Sequence, residues 1–324
     1  MSHTEESVGT FLGIPPCELP HVGKDTDIVI IGAAEGTPHR AGEPSHAAAA
    51  PDAIRRSLKA AANDLTRWDF DQDGPLLPTG VNIRDAGNLP TRPASPEQNR
   101  DLIRAATRAV LDAAAVPVLL GGDDSVPIPF FEAFETRGPI TIVQLDAHLD
   151  WRDERNGLRH TFSSPMRRAS EMPWVERIVQ IGMRGIGGSR ANDLDDARRW
   201  GAHIIPAARV RRHGMRPVLD CIPDGARCVV TIDCDGLDPS VIPAVLVPQP
   251  GGLSFADVLD LFDGLAAKAR IEGIDVVELV PARDVNDIGA LTAARFVCKG
   301  IGCIARQRGR AAVDALLLAD ERKA

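Results

Sequence analysis

Three short runs of this 324-residue chain are loaded with carboxylates, and each closes an apolar segment. GGDDS holds Asp123 and Asp124. DAHLD holds Asp146, His148 and Asp150. DCDGLD holds Asp233, Asp235 and Asp238. In an extended chain the alternation of side chains sends Asp146, His148 and Asp150 toward one side. Carboxylates and an imidazole crowded together repel one another and lose solvation unless a cation holds them. Asp233 and Asp235 repeat the arrangement elsewhere. Two such groups converging make a site for two divalent ions, about 3.5–4 Å apart and sharing carboxylates and a water. A donor set rich in oxygen with one or two imidazoles suits Mn²⁺ better than Zn²⁺. A single strand-end aspartate is as well explained by capping the next helix; three clusters together are not.

Such residues need a scaffold that brings strand ends together. Apolar runs begin at Asp27, Gly80, Val116, Ile140, Arg177, Ala202, Cys228 and Ile274, each bounded by Gly, Pro or Asp. They read as buried strands. Longer amphipathic stretches separate them, among them PDAIRRSLKAAAND from Pro51 and SPEQNRDLIRAATRAVLDAAA, with Ser95 as its cap and Pro96 in the first turn. The alternation predicts an α/β chain with a mostly parallel sheet and helices on both faces. In such sheets chemistry gathers at the carboxyl ends of the strands. Residues 1–24, with GIPP and ELPH, read as an irregular N-terminal arm, and 25–324 as one catalytic domain without internal repeat. Neither GxGxxG nor GxxxxGK[ST] follows the first strand, which excludes the usual dinucleotide and nucleoside-triphosphate cradles.

Composition narrows the classes further. Charged residues make up 25% and hydrophobic residues 44%, as in a folded chain. The net charge of −8 argues against nucleic-acid binding, which needs a basic footprint. No uninterrupted apolar run spans a bilayer, and the first residues, MSHTEESVGT, are polar and acidic. The expectation is a cytoplasmic protein with no membrane partner. Cys17, Cys221, Cys228, Cys234, Cys298 and Cys303 form no CxxC pair and read as reduced, small apolar residues. Arg167 to Met172 and Arg209 to His213 read as solvated basic faces, and Trp151 as a residue of the core or of the pocket wall.

In order along the chain, these motifs resemble the ureohydrolases: arginase, agmatinase and related guanidino-acid hydrolases, with the agmatinase branch nearest. TFLGIP at Thr10, APDAIRRSL at Ala50, DAGNL at Asp85, PGGLS at Pro250 and VVELVPARD at Val276 join the three metal motifs in carrying the resemblance. It implies a three-layer αβα arginase-like fold with about eight strands, mostly parallel. It implies that Asp146 and Asp233 bridge two ions, that His148 and Asp235 complete one shell, and that Asp150 and Asp124 belong to the other. It implies that Glu278 pairs with a substrate guanidinium. It implies that His160 shuttles a proton to the leaving amine, with Asp150 also counted among the catalytic residues. The reaction is then hydrolysis of a guanidino compound to urea and an amine by a hydroxide shared between the ions, Mn²⁺ first and Ni²⁺ as the alternative. A homo-oligomer, trimer or hexamer, is implied too, with a hetero-assembly as the alternative.

Three departures bear on the expectation. The family usually has GGDHS, so Asp124 stands where a neutral imidazole ligates. Four carboxylates and two imidazoles balance two dications; five and one leave −1. That favours hard ions, and it raises the alternative of a non-catalytic family member, beside a second rival acting on a formimino, amidino or acylated amine. The residues from Val241 to Pro250, VIPAVLVPQP, replace a Gly/Thr-rich loop and predict a more apolar pocket wall. The segment from Ala34, AEGTPHRAGEPSHAAAA, replaces a PFDxG-type turn.

Overall fold

A computed structural model of the chain describes residues 9–19, 21–40, 42–186 and 189–321. Eight parallel strands build one sheet: β1 Ile28–Ala33, β2 Ile83–Asn88, β3 Val116–Gly121, β4 Ile140–Leu145, β5 Val175–Ile181, β6 His203–Ile205, β7 Arg227–Asp233 and β8 Arg270–Val277. Their spatial order is β2-β1-β3-β8-β7-β4-β5-β6. All eight apolar runs of the sequence supply a strand.

Side-chain alternation splits the core into two layers. Ile28 and Ile30 on β1, Val118 and Leu120 on β3, and Val230 and Ile232 on β7 face one layer. The helices Ala50–Ser57, Phe255–Lys268 and the first part of Ile288–Glu321 cover it through Ile54, Leu261, Phe262, Phe296 and Val297. Val29, Ile31, Leu119, Ile142 and Val229 face the other, under Ile103 and Val110 of the helix Pro96–Asp112 and Phe130 and Phe131 of Pro127–Glu132. Strands buried on both faces explain the continuous apolar runs. The three-layer α/β architecture is therefore as expected.

Some local expectations change. Pro96 opens its helix, but the Ser95 side chain makes no capping bond. Asn99 instead closes the preceding loop, accepting from the Arg92 N–H and donating to the Arg92 carbonyl, both at 2.8 Å. Of the expected arm, Phe11, Leu12 and Ile14 are core residues. The Phe11 N–H donates to the Asp85 carboxylate, which also takes a two-bond contact from Arg55 at 2.9 and 3.0 Å. The stretch Ile288–Gly309 is long and apolar enough to cross a membrane, yet most of it is buried in the core. Arg168, expected on a solvated face, is buried and bonded to Asp153. All six cysteines are unpaired thiols.

Candidate metal centre

The four central strands, β3-β8-β7-β4, end side by side, with acidic residues at or within three residues of each end. Val276 pairs with Leu120, Val277 with Asp233, and Leu145 with Ile232. Asp124, Glu278, Asp233 and Asp146 therefore leave the sheet at one edge. Runs separated by more than a hundred residues meet there because the strand order is not the chain order.

Each loop turns by the same local device. The Asp146 carboxylate accepts the His148 N–H at 2.5 Å, Asp233 accepts the Asp235 N–H at 2.7 Å, and Asp123 accepts the Ser125 N–H at 3.0 Å. These are Asx turns, in which an aspartate holds its own loop two residues on. The Asp233 turn also caps the short 3₁₀ helix Cys234–Gly236, the role expected of a lone strand-end aspartate, while the second Asp146 oxygen accepts the Gln144 amide. The two loops touch at Gly236. A Cβ there would lie 2.7 Å from the Asp146 nitrogen, so only glycine fits.

Two groups of ligand atoms, each within 4.8 Å, emerge: Asp124, Asp146 and Asp233, and Asp146, His148 and Asp235. Asp146 belongs to both. Five of the six metal ligands expected from sequence fall in these groups. The sixth, Asp150, is tethered beside them: Gln144 on β4 donates to Asp146 at 2.6 Å and to Asp150 at 3.1 Å. Asp150 takes a left-handed φ of 52°, a strained backbone for a residue with a Cβ. Gln144 is fixed in turn by Gln180, which also accepts from the Trp151 indole at 2.8 Å. Trp151 is both core and pocket wall.

The electrostatics ask for positive charge. Burial, then Asp150 and Asp233, pushes the carboxyls of Asp124 and Asp146 well above the usual carboxylate range. Burial, then Asp235 and Glu278, does the same to Asp233. Burial pulls the His148 imidazole down, but Asp235, 3.0 Å from Nδ1, outweighs it and lifts the group to about 9. One Asp124 oxygen is buried without any hydrogen-bond partner among the described residues. Buried carboxylates with free lone pairs and one imidazole fit divalent cations.

Glu278 follows β8 with a φ of 63°. Its N–H donates to the Gly122 carbonyl at 2.8 Å. One carboxylate oxygen accepts the Asp124 N–H at 2.9 Å, and the other lies 2.5 Å from Nε2 of His46. Burial raises Glu278 above its ordinary range; burial lowers His46, and Glu278 more than restores it. His46 was not among the expected site residues. Nor was His39, which stacks on Phe162 at 3.4 Å and lines the cleft beside Asp150, Asp233 and Glu278. Both lie in the segment from Ala34. The available signal was its place just after β1, on the edge where the other strands deliver their loops.

His160 requires a correction. It does not line this cleft but a separate one, with Arg104, Glu132, Arg168 and Trp174. A tight turn at Asn156 and Gly157, both left-handed, and the fully buried Thr161 place Phe162 and Ser163 on the site wall instead. Burial and then Arg100 and Arg168 keep the His160 imidazole below its usual range, which suits a proton shuttle poorly. Leu246 and Val247 of the apolar loop do line the site.

The model of the arginase family matches residues 26–302. The chain belongs to the arginase family. Within it, the chain is 33% identical over 235 residues to an N(1)-aminopropylagmatine ureohydrolase of Thermus thermophilus, covering 72% of this chain and 77% of that one. It is 30% identical over 297 residues to the proclavaminate amidinohydrolase of Streptomyces clavuligerus, covering 89% and 90%. The solved structure of the Streptomyces enzyme superimposes with a TM-score of 0.78 over 93% of this chain and 98% of that one, at 27% identity. The αβα sheet seen here is thus that of the family's solved structure.

Proposed function

We propose that this arginase-family chain hydrolyses a guanidino compound to urea and an amine at a two-cation centre. The observation that carries the reading is the pair of ligand groups sharing Asp146, next to a glutamate fixed at both oxygens. The names of the relatives, ureohydrolase and amidinohydrolase, support it. Asp124, Asp146, Asp150, Asp233, Asp235 and His148 would hold the ions. Mn²⁺ is the assignment and Ni²⁺ the alternative, because five carboxylates and one imidazole form a hard donor set. Bound cations would supply a water deprotonated near neutral pH and offset the charge that develops on attack.

The remaining work falls to the chain itself. A guanidinium carbon is resonance-stabilised and needs close positioning. Glu278 accepts two hydrogen bonds from the protein and keeps lone pairs free for a planar, bidentate guanidinium. Its strained backbone is the kind of feature that persists at functional positions. Asp150 faces the same cleft, and burial raises its carboxyl above the usual range. In this reading it would take a proton and return it to the departing nitrogen. His39 and Phe162 close one side of the cleft.

The test is urea release by purified protein loaded with Mn²⁺ and, in parallel, Ni²⁺, over agmatine, arginine, guanidinobutyrate, guanidinopropionate, guanidine and an N-alkyl guanidine. Urea from any of them supports the reaction class. No urea from any, with fewer than two metals per chain, would return the chain to the non-catalytic reading that Asp124 raises.

A further inference from the structure

The inner end of the cleft is acidic, but its rim is not. The outer wall is apolar, built from Phe162, Leu246, Val247 and Ile186, the last two exposed at 44% and 92%. Three charged side chains belong to this outer part: Arg152, Arg155 and Asp193. Asp193 is already engaged. It accepts the Arg190 N–H at 2.8 Å as the cap of the helix Ala191–Trp200, and lies 3.6 Å from the Arg152 guanidinium. Arg155 has no carboxylate partner among the described residues. Among the described residues of the rim, two guanidinium groups stand with one carboxylate.

Arg155 is exposed, yet its backbone is fixed. Its N–H and carbonyl bond Leu158 at 2.9 and 3.0 Å across a turn whose two central residues, Asn156 and Gly157, have φ of 54° and 80°. The Asn156 amide donates to the His39 carbonyl at 2.9 Å, tying the turn to the ring that stacks on Phe162. The acidic neighbours point to other work. Asp153 pairs with Arg159 and Arg168, and Glu154 accepts the Gly157 N–H at 3.1 Å.

We propose that the substrate is a guanidino carboxylate: a guanidinium at Glu278, an apolar linker along Phe162, Leu246 and Val247, and a carboxylate at the rim facing Arg155. This rests on the guanidino-hydrolase reading and narrows it. An ammonium at the far end would meet like charge at the rim, whereas a carboxylate meets a guanidinium that can bind it through two bonds. The linker's apolar contact favours neither, so the terminal charge decides.

Agmatine and 5-guanidinopentanoate share a linker and differ in the sign of that charge. With the Mn²⁺-loaded protein, kcat/KM for the acid should exceed that for agmatine by about tenfold or more, a margin that added salt narrows. Arg155→Glu should reverse the order, and Arg155→Gln should bring the two close together. A preference for agmatine in the parent protein, or a ratio that Arg155→Glu leaves unchanged, overturns the proposal while leaving hydrolysis intact. The same two compounds are compared by thermal stabilisation of the loaded protein. If neither yields urea, stabilisation decides: an acid that stabilises no more than agmatine, or that keeps its margin in Arg155→Glu, overturns the proposal, while hydrolysis itself is judged separately by urea release over the whole panel.

Discussion

Glu278 carries a left-handed backbone, a buried carboxylate, and one protein donor on each oxygen. A non-glycine residue held in that region costs of the order of 1–3 kcal/mol, and it persists only where surrounding contacts enforce it. His46 is one of those contacts, and its role is positional: it touches Glu278, not the reacting atoms. Losing a hydrogen bond to a charged group is worth about 1.5–3 kcal/mol. His46→Phe should therefore lower kcat/KM by about ten- to a hundredfold, chiefly through KM, since the guanidinium contact precedes the chemistry. His46→Gln keeps a donor and should recover part of the loss. Steady-state kinetics of the two variants checks this; equal damage in both, or a loss confined to kcat, would remove His46 from that role.

At the scale of the element, strand ends explain both the site and a weakness in β8. Asp275 lies within that strand, wholly buried. One of its oxygens accepts the Thr231 hydroxyl at 2.7 Å, and the other has no partner among the described residues. Burial pushes the group up to about 8. The folded value then lies above the unfolded one of about 3.9, so the unfolded chain releases its proton first as pH rises. The stability linked to Asp275 is complete below about pH 4 and declines progressively toward pH 8. Asp275→Asn keeps an acceptor for Thr231 and removes the titration. Thermal unfolding between pH 4 and 8 should show a smaller decline in the variant, with a Tm above the parent at pH 8. A parallel pH profile in the two proteins would rule Asp275 out as the source.

For the molecule as a whole, the acidic edge makes folding and cation binding interdependent. Asp124, Asp146, Asp150, Asp233 and Asp235 are all buried, with one nearby imidazole. Ions bound by the native cluster, with unfolded-state binding negligible, shift the folding equilibrium by mass action. At free ion one hundred times the Kd the gain is about 2.7 kcal/mol for one site. Chelation should lower Tm by several degrees, and Mn²⁺ should restore it in a concentration-dependent way. Calorimetry with and without chelator measures both. A Tm indifferent to chelator and to added Mn²⁺ would mean that the cluster holds no cation.

The sequence by itself determined the eight strands, the helices between them, the α/β class and the acidic runs at three of the strand ends. Those are local properties: periodicity, turn residues and loop composition are written in contiguous residues. The acidic clusters at Asp123 and Asp124, at Asp146, His148 and Asp150, and at Asp233 and Asp235 were legible as residues closing apolar runs, whereas Glu278 was singled out only through the resemblance of VVELVPARD to the family. The lateral order of the strands was not local. Crossover helices decide which parallel strand lies beside which, and only that order sets β8 between β3 and β7, with Glu278 beside Asp124. Loop conformation was equally out of reach. A turn at Asn156 and Gly157 carries His160 away and leaves Phe162 on the wall, while the loop after β1 brings His46 across 232 residues to Glu278. Neither loop has a period to read, so their side chains find their partners only when the sheet gathers its loops on one edge.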